Sequence, residues 1–385
     1  MASDFVVIGA GIHGLTAAYH LAVRGHSVTV LDKGDVAEGP TGAASGVVRA
    51  YYTNAFLAEV AQQSIAVLEE LEASSDTASG YRRTGGLYLH GPEEMEQVTE
   101  NAHSLVRAGV PTTVLSVDQL AAAHPGLVLE GVGVGVWEPG AGIADPYRTA
   151  LSYAQRLRAL GVDLQLGSEV TAIEERAGAV SVRTADGRSF AGGRLLITAG
   201  PWTAPLARLV GSELPLIAER HVVGGLHDAK AGPGTVIDHV LIDVVAGYYS
   251  RPWGDDGFVL GPLAATEATD PDEFDPEVTQ DEYTWLADRA AARAPVRARA
   301  TPARSWASLY DVSPDWQPVI GQIGESTFVD AGTSGHGFKL APVLGDHVAR
   351  LLLDEADERL AQFGPDRFAA GPGLASGFGA ARILG

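Results

Sequence analysis

The clearest pattern lies at the start of the chain. Phe5-Val6-Val7-Ile8 is a continuously apolar, β-branched run, which suits a strand buried on both faces of a parallel sheet. Glycines follow at 9, 11 and 14, and Leu15 to Arg24 carries apolar residues at helical spacing until Gly25-His26 stops it. Ser27 to Leu31 alternates and ends at Asp32. Residues 5–32 therefore predict a strand–helix–strand unit.

Beyond it, residues 33–49 read as a loop rich in Gly, Ala and Ser. Apolar periodicity predicts helices over 55–73, 93–108 and 146–160, and strands over 85–89, 132–137, 164–166, 170–174, 180–184 and 194–199. Ala185-Asp186-Gly187 marks a turn at the end of the 180–184 strand. The stretch 211–310 is less regular, with strands expected near 221–224, 240–244, 248–250 and 258–260 and a helix over 281–292. A strand at 327–330, a Gly-rich turn and a helix over 341–354 close the pattern. The tail after Arg367, rich in Gly and Ala, is expected to pack weakly. No repeat and no linker divides the chain, so two domains interleaved in sequence are expected.

Composition narrows the chemistry. The formal charge of −21 disfavours nucleic acid and anionic membranes as partners. With no cysteine, disulfides, thiolate catalysis and thiol-linked cofactors are excluded. The apolar run at the N-terminus lacks a basic flank and is broken by Gly9, so it does not read as a signal peptide. No uninterrupted apolar stretch is long enough to cross a membrane, and a cytoplasmic location is expected. The eleven histidines are scattered, so no metal site is expected.

Gly9-Ala10-Gly11-Ile12-His13-Gly14 fits the GxGxxG fingerprint of a dinucleotide site. The first glycine permits the turn, the second admits a pyrophosphate to the backbone, and the third lets helix and strand pack closely. The helix N-terminus favours the anion, and Asp32 stands where a carboxylate accepts ribose hydroxyls. His13 reads as a neighbour of the cofactor. Spacing alone does not choose between NAD and FAD, but a motif at the N-terminus with a second one far downstream points to an extended FAD.

Further segments carry a resemblance: residues 41–49 (Thr-Gly-Ala-Ala-Ser-Gly-Val-Val-Arg), Ala199-Gly200-Pro201-Trp202, and Gly332-Thr333-Ser334-Gly335-His336-Gly337-Phe338-Lys339. With Gly9–Gly14, they make the chain resemble the D-amino-acid oxidase superfamily from about residue 4 to residue 355, nearest the monomeric sarcosine oxidase and glycine oxidase branch. The resemblance implies an α/β (α+β) fold: a glutathione-reductase-like Rossmann FAD domain interleaved with a substrate domain on a mostly antiparallel sheet. Residues 1–85, 145–210 and 320–367 are expected to form the first and 86–144 and 211–319 the second, with 368–385 as the tail. It implies hydride removal from the carbon next to nitrogen in a small amine or amino acid, giving an imine that water hydrolyses, with O2 or another electron acceptor.

By the same resemblance, Ser45 and Gly46 lie near the pyrophosphate or flavin, Val170 holds adenine through its backbone, and Gly332 to Lys339 passes along the flavin edge. Lys33, Ala199, Gly200 and Trp202 join the cofactor set, Trp202 as a packing residue. Charge gathers on a flavin as it is reduced, so a cation beside it is stabilising, and Lys339 and Arg49 are the candidates. Lys339 is also the first choice for a substrate carboxylate. Tyr249 and Tyr310 would wall the substrate pocket, with His336 as a further catalytic candidate and Tyr52 and Arg251 as substrate contacts.

Four positions depart from the branch. Ser308 stands where covalent members attach flavin through cysteine, so FAD without a thioether is expected. Val259 replaces a lysine that assists oxygen activation, Leu263 replaces a histidine, and Tyr52 replaces a carboxylate-binding arginine. Either carboxylate binding thus rests mainly on Lys339 or the substrate lacks that group, and a bulkier amine or amino acid than sarcosine is expected. A dehydrogenase or imine-forming biosynthetic enzyme with poor O2 reactivity is therefore one alternative, and a non-catalytic FAD-binding protein another. A flavin hydroxylase remains open through Val329-Asp330-Ala331-Gly332. A serine hydrolase does not, because Gly332-Thr333-Ser334-Gly335 misses the required spacing.

Overall fold

The computed structural model describes residues 2–74, 78–227, 237–371, 373–374, 377–378 and 382–384. The opening unit forms as its pattern predicts: β1 (Ser3–Ile8), α1 (Ile12–Ala22) and β2 (Val28–Leu31). β1 runs parallel between β2 and Ser189–Ile197, and its two faces are buried in different layers: Phe5 and Val7 pack with Leu15 and Leu21 of α1, while Val6 and Ile8 pack with Ile173, Val180 and Val182. The Asp163–Gln165 and Thr327–Ala331 strands extend this parallel core outward. A hairpin of Val170–Arg176 and Ala179–Thr184 joins it in antiparallel fashion through Ser189–Ile197.

α1 packs on β1 and β2 of this sheet and against the Ala341–Leu352 helix. The two helices approach so closely that a Cβ on Gly345 would stand 2.5 Å from Thr16 Oγ1. Leu15 and Leu21 are fully buried in the contact, each contributing about 1.5–3 kcal/mol of transfer free energy. This packing holds the N-terminus of α1, and hence the glycine turn, rigidly against β1.

The second sheet is antiparallel at every ladder except Val240–Asp243 with Gly86–His90. Its spine, Ile217–His227, pairs with Gly257–Pro262 on one side and with Trp306–Val312 on the other. One face is covered by the Gln280–Arg293 helix through Leu87, Phe258, Leu260, Leu286 and Ala290. Side chains alternate along a strand, so Tyr248 joins that cluster while Tyr249 faces the other way. The first sheet and this free face enclose the candidate site.

The mixed α/β class and the mostly antiparallel second sheet stand as expected. The Trp306–Val312 strand was not anticipated, because Ser308 and Asp311 are buried within it and erase the apolar–polar alternation. The tail also differs from a weakly packed segment where it is described: Phe378 and Leu384 are fully buried. Its other residues lie partly outside the described set. Among the described residues, no helix is long and apolar enough to cross a membrane.

Candidate active site

The glycine turn sits at the end of β1. Gly9 has a φ of 118°, and a Cβ there would stand 2.4 Å from the Thr198 carbonyl oxygen. A Cβ on Gly14 would lie 2.0 Å from the Gly9 carbonyl oxygen. Both glycines thus serve contacts inside the protein. Gly11 differs: its backbone is ordinary (φ −76°), and its Cβ would meet only Thr41 Oγ1, at 3.1 Å. It faces a cleft of about 820 Å³.

Asp32 closes one side of this cleft. Its carboxylate accepts the Ala10 N–H at 2.6 Å and the Gly34 N–H at 2.8 Å, and burial pushes its pKa up. At the outer end Lys33 Nζ lies 3.8 Å from the Trp202 ring centre, and both side chains donate to Asp272 at 2.8 Å. Val170, Ala199 and Gly200 line the same cleft. Deeper in, His13 Nδ1 lies 2.8 Å from Asp330 Oδ2, while its buried Nε2 has no hydrogen-bond partner. Burial alone would lower the His13 pKa, but the Asp330 and Asp311 carboxylates outweigh it and raise the value.

The inner end of the cleft adjoins a second, smaller cavity of about 50 Å³. Ser45, Tyr310, Gly335 and Phe338 line both. The smaller cavity adds Gly46, Arg49, Tyr249, Leu263 and Lys339. Lys339 is 5% exposed and its Nζ donates to the His336 carbonyl at 3.3 Å. Burial, and next the charge of Arg49, hold its pKa well below the usual lysine range. Arg49 is 2% exposed and donates to the carbonyls of Tyr51 and Ile383. Two buried basic side chains therefore line one cavity, with no carboxylate among the described residues that line it.

Two aromatic rings, Tyr249 and Tyr310, also line this cavity. Tyr310 stacks on His221, centres 3.9 Å apart at 17°, and lies on Gly335, where a Cβ would come within 2.2 Å of its ring. With a φ of 79°, Gly335 is a position only glycine adopts easily. Tyr249 covers Gly261 in the same way, at 2.5 Å. Asp311 pins the turn beneath Tyr310, accepting the Gly332 N–H at 2.7 Å and the Thr333 hydroxyl at 3.0 Å.

The backbone that follows Arg49 is held by a carboxylate. Glu138 is fully buried and accepts from the Ala50 N–H at 2.7 Å, the Tyr51 N–H at 3.2 Å and the Tyr88 hydroxyl at 2.5 Å. Burial raises its pKa despite those donors. Glu138→Ala would leave these three donors unpaired, an expected loss of about 3 kcal/mol of stability, with Glu138→Gln less costly. Denaturant unfolding of the two variants is the check, and an unchanged midpoint for Glu138→Ala would remove Glu138 from this role.

A family model described as FAD dependent oxidoreductase matches residues 4–351. The chain belongs to that family. Mitochondrial dimethylglycine dehydrogenase of Rattus norvegicus is 26% identical over 389 residues, which cover 95% of this chain and 45% of that relative. The chain thus spans less than half the length of that dehydrogenase. Human peroxisomal sarcosine oxidase is 28% identical over 365 residues, covering 89% of this chain and 90% of the relative. Among solved structures, L-proline dehydrogenase from P. horikoshii is 25% identical with a TM-score of 0.86, covering 97% of this chain and 99% of the other.

The residues present fit the FAD that this oxidoreductase family uses. Gly11 leaves a space beside the α1 N-terminus that any side chain would fill, and the first N–H groups of a helix have no intrahelical partners. Ser308 lines the inner cleft, and a chain without cysteine offers no thioether there.

Several sequence-predicted residues lie behind these walls rather than on them. Tyr52 is fully buried beneath Arg49, whose guanidinium carbon is 4.3 Å from the ring centre. Arg251 braces the loop, donating to the Ser45 carbonyl at 2.5 Å. His336 is fully buried, its Nε2 2.8 Å from the Trp316 carbonyl; burial and Lys339 push its pKa well down. Gly332 and Ser334 shape the turn, Gly14 packs against Gly9, and Val259 is fully buried on neither cavity wall. Ile12, Gly9 and Gly337 do line the cleft. Sequence reasoning missed His221, Glu138 and Asp311. Each is a polar residue inside a strand, and no local motif marks it.

Proposed function

We propose that this chain oxidises the C–N bond of a small amino acid or amine carrying a carboxylate, with residues 1–85, 145–210 and 320–367 forming the cofactor unit. One observation carries the reading: Lys339 and Arg49, both buried, share the wall of a small aromatic-sided cavity that opens onto the cofactor cleft. Buried cations without a partner carboxylate are costly, and an anionic ligand relieves that cost. Strands of the first sheet fall within the proposed cofactor ranges to within a residue, which supports the division. A cytoplasmic location is part of the proposal.

Bound FAD supplies a two-electron acceptor for the hydride of the carbon next to nitrogen. The chain's own residues do the rest. Lys339 and Arg49 fix the carboxylate, and Tyr249 and Tyr310 hold the amine end by their faces and exclude water. The bound ammonium first gives up a proton to solvent, and the freed lone pair becomes the second C–N bond of a protonated imine as the hydride leaves. Water then hydrolyses the released imine.

The test is anaerobic. Adding primary, N-methyl and cyclic amino acids should bleach the flavin band near ~450 nm for at least one of them. Purified protein that no amine or amino acid bleaches would sink the reading and favour a non-catalytic FAD protein. A second reading, a dehydrogenase, is supported by apolar Leu263 on the cavity wall, which offers no cation for stabilising superoxide. Slow recovery of the band in air is its expected signature, and fast recovery the signature of an oxidase.

A further inference from the structure

We propose that the short helical turn Arg382–Leu384 is a wall of the substrate cavity and limits the size of the substrate, an inference that rests on the carboxylate-site reading above. Ile383 and Leu384 line that cavity beside Lys339, Arg49 and Leu263. Leu384 is fully buried, and the Ile383 carbonyl accepts from the Arg49 guanidinium. The segment thus contributes both an apolar surface and a polar contact to one of the two carboxylate-binding cations.

Two anchors hold the tail there. Asp315, paired with Arg367 at 2.8 and 2.9 Å, also accepts the Leu374 N–H at 2.8 Å. Phe378 is fully buried, stacked on Tyr51 at 5.8 Å and 13° and edge-on to His90 at 4.8 Å. Tyr51 is the residue whose N–H Glu138 accepts and whose carbonyl takes the other Arg49 donor. The segment is therefore tied to the element that places Arg49.

The consequence is one of volume. With Ile383 and Leu384 in place, the cavity measures about 50 Å³. Ligand pockets for drug-sized molecules run from roughly 300 to 1,000 Å³. Only a compact substrate fits while this wall stands. Trimming the wall should admit larger side chains without disturbing the carboxylate contacts of Lys339.

The experiment uses the FAD-loaded protein and two carboxylate probes, acetate and benzoate, titrated calorimetrically. In Leu384→Ala and in the double variant Ile383→Ala/Leu384→Ala, benzoate should tighten about tenfold relative to acetate. Parallel changes for both probes, or none, overturn the wall. A second measurement does not need a carboxylate to bind. The chain has no native cysteine, so Leu384→Cys gives a single thiol. That thiol should react with an aromatic disulfide reagent about 100-fold more slowly in the folded protein than in denaturant. Equal rates overturn the placement. A protected thiol with neither probe binding keeps the wall and refutes the carboxylate site instead.

Discussion

Replacing Lys339 by methionine is expected to slow flavin reduction by a carboxylate-bearing substrate about 100- to 1,000-fold, while stabilising the cofactor-free chain by about 1–3 kcal/mol. The two effects have one cause. Lys339 is 5% exposed, among the described residues its Nζ donates to the His336 carbonyl at 3.3 Å, and Arg49 stands nearby as a like charge. Burial opposes its charge, so the folded state pays for a cation that becomes useful only when an anion arrives. Methionine has nearly the same shape and no such cost.

The pH dependence separates this from a packing effect. Burial lowers the Lys339 pKa in the folded chain, whereas the unfolded chain holds the proton up to ~10.4. Between the two values only the unfolded state binds the proton, so stability climbs as pH rises and falls again as pH drops toward the folded value. Lys339→Met should lose that climb. Thermal melts across the alkaline range and stopped-flow reduction with and without a substrate carboxylate give both readouts. Equal slowing for a neutral amine and an amino acid would place Lys339 elsewhere in the mechanism.

Gly11→Val should yield a folded but colourless protein, with FAD affinity down about 1,000-fold, or about 4 kcal/mol. Its backbone (φ −76°, ψ 177°) accepts any residue, and only Thr41 Oγ1 stands near the added Cβ, at 3.1 Å. The cost therefore falls on the ligand. Gly14→Val is the contrasting case. Its Cβ would lie 2.0 Å from the Gly9 carbonyl oxygen and 2.6 Å from Thr198 Oγ1, so α1 must leave β1 and stability is lost with the cofactor. Apo-protein melts and dialysis against FAD distinguish them. A yellow Gly11→Val protein would move the pyrophosphate away from this turn.

Those two glycines also show how far local sequence reaches. The strand, the glycine turn, α1 and β2 were legible because their determinants lie within about 30 residues: a continuous apolar run, three glycines and a helical repeat. The turn carrying Lys339 was legible for the same reason. Gly335 must adopt a positive φ and Asp311 must cap the turn, but only the first requirement is written in the turn itself.

The pocket was not legible in any local pattern, and its candidate residues came only from the family resemblance. Arg49 and Lys339 stand 290 positions apart, and nothing local distinguishes Arg49, on the cavity wall, from Arg251, behind it. Tyr249 and Tyr310 face the cavity because the strand pleat sets which side each occupies, and that register is fixed by pairing with distant strands. The tail shows the same limit. Its Gly- and Ala-rich composition reads as weak packing, yet a few side chains, Phe378 and Leu384 among them, find buried places prepared by other elements. Sequence by itself determined the cofactor turn, because its geometry is short-range. Tertiary structure decided which cations, rings and tail residues meet, because burial and electrostatics act through space between segments that the chain keeps far apart.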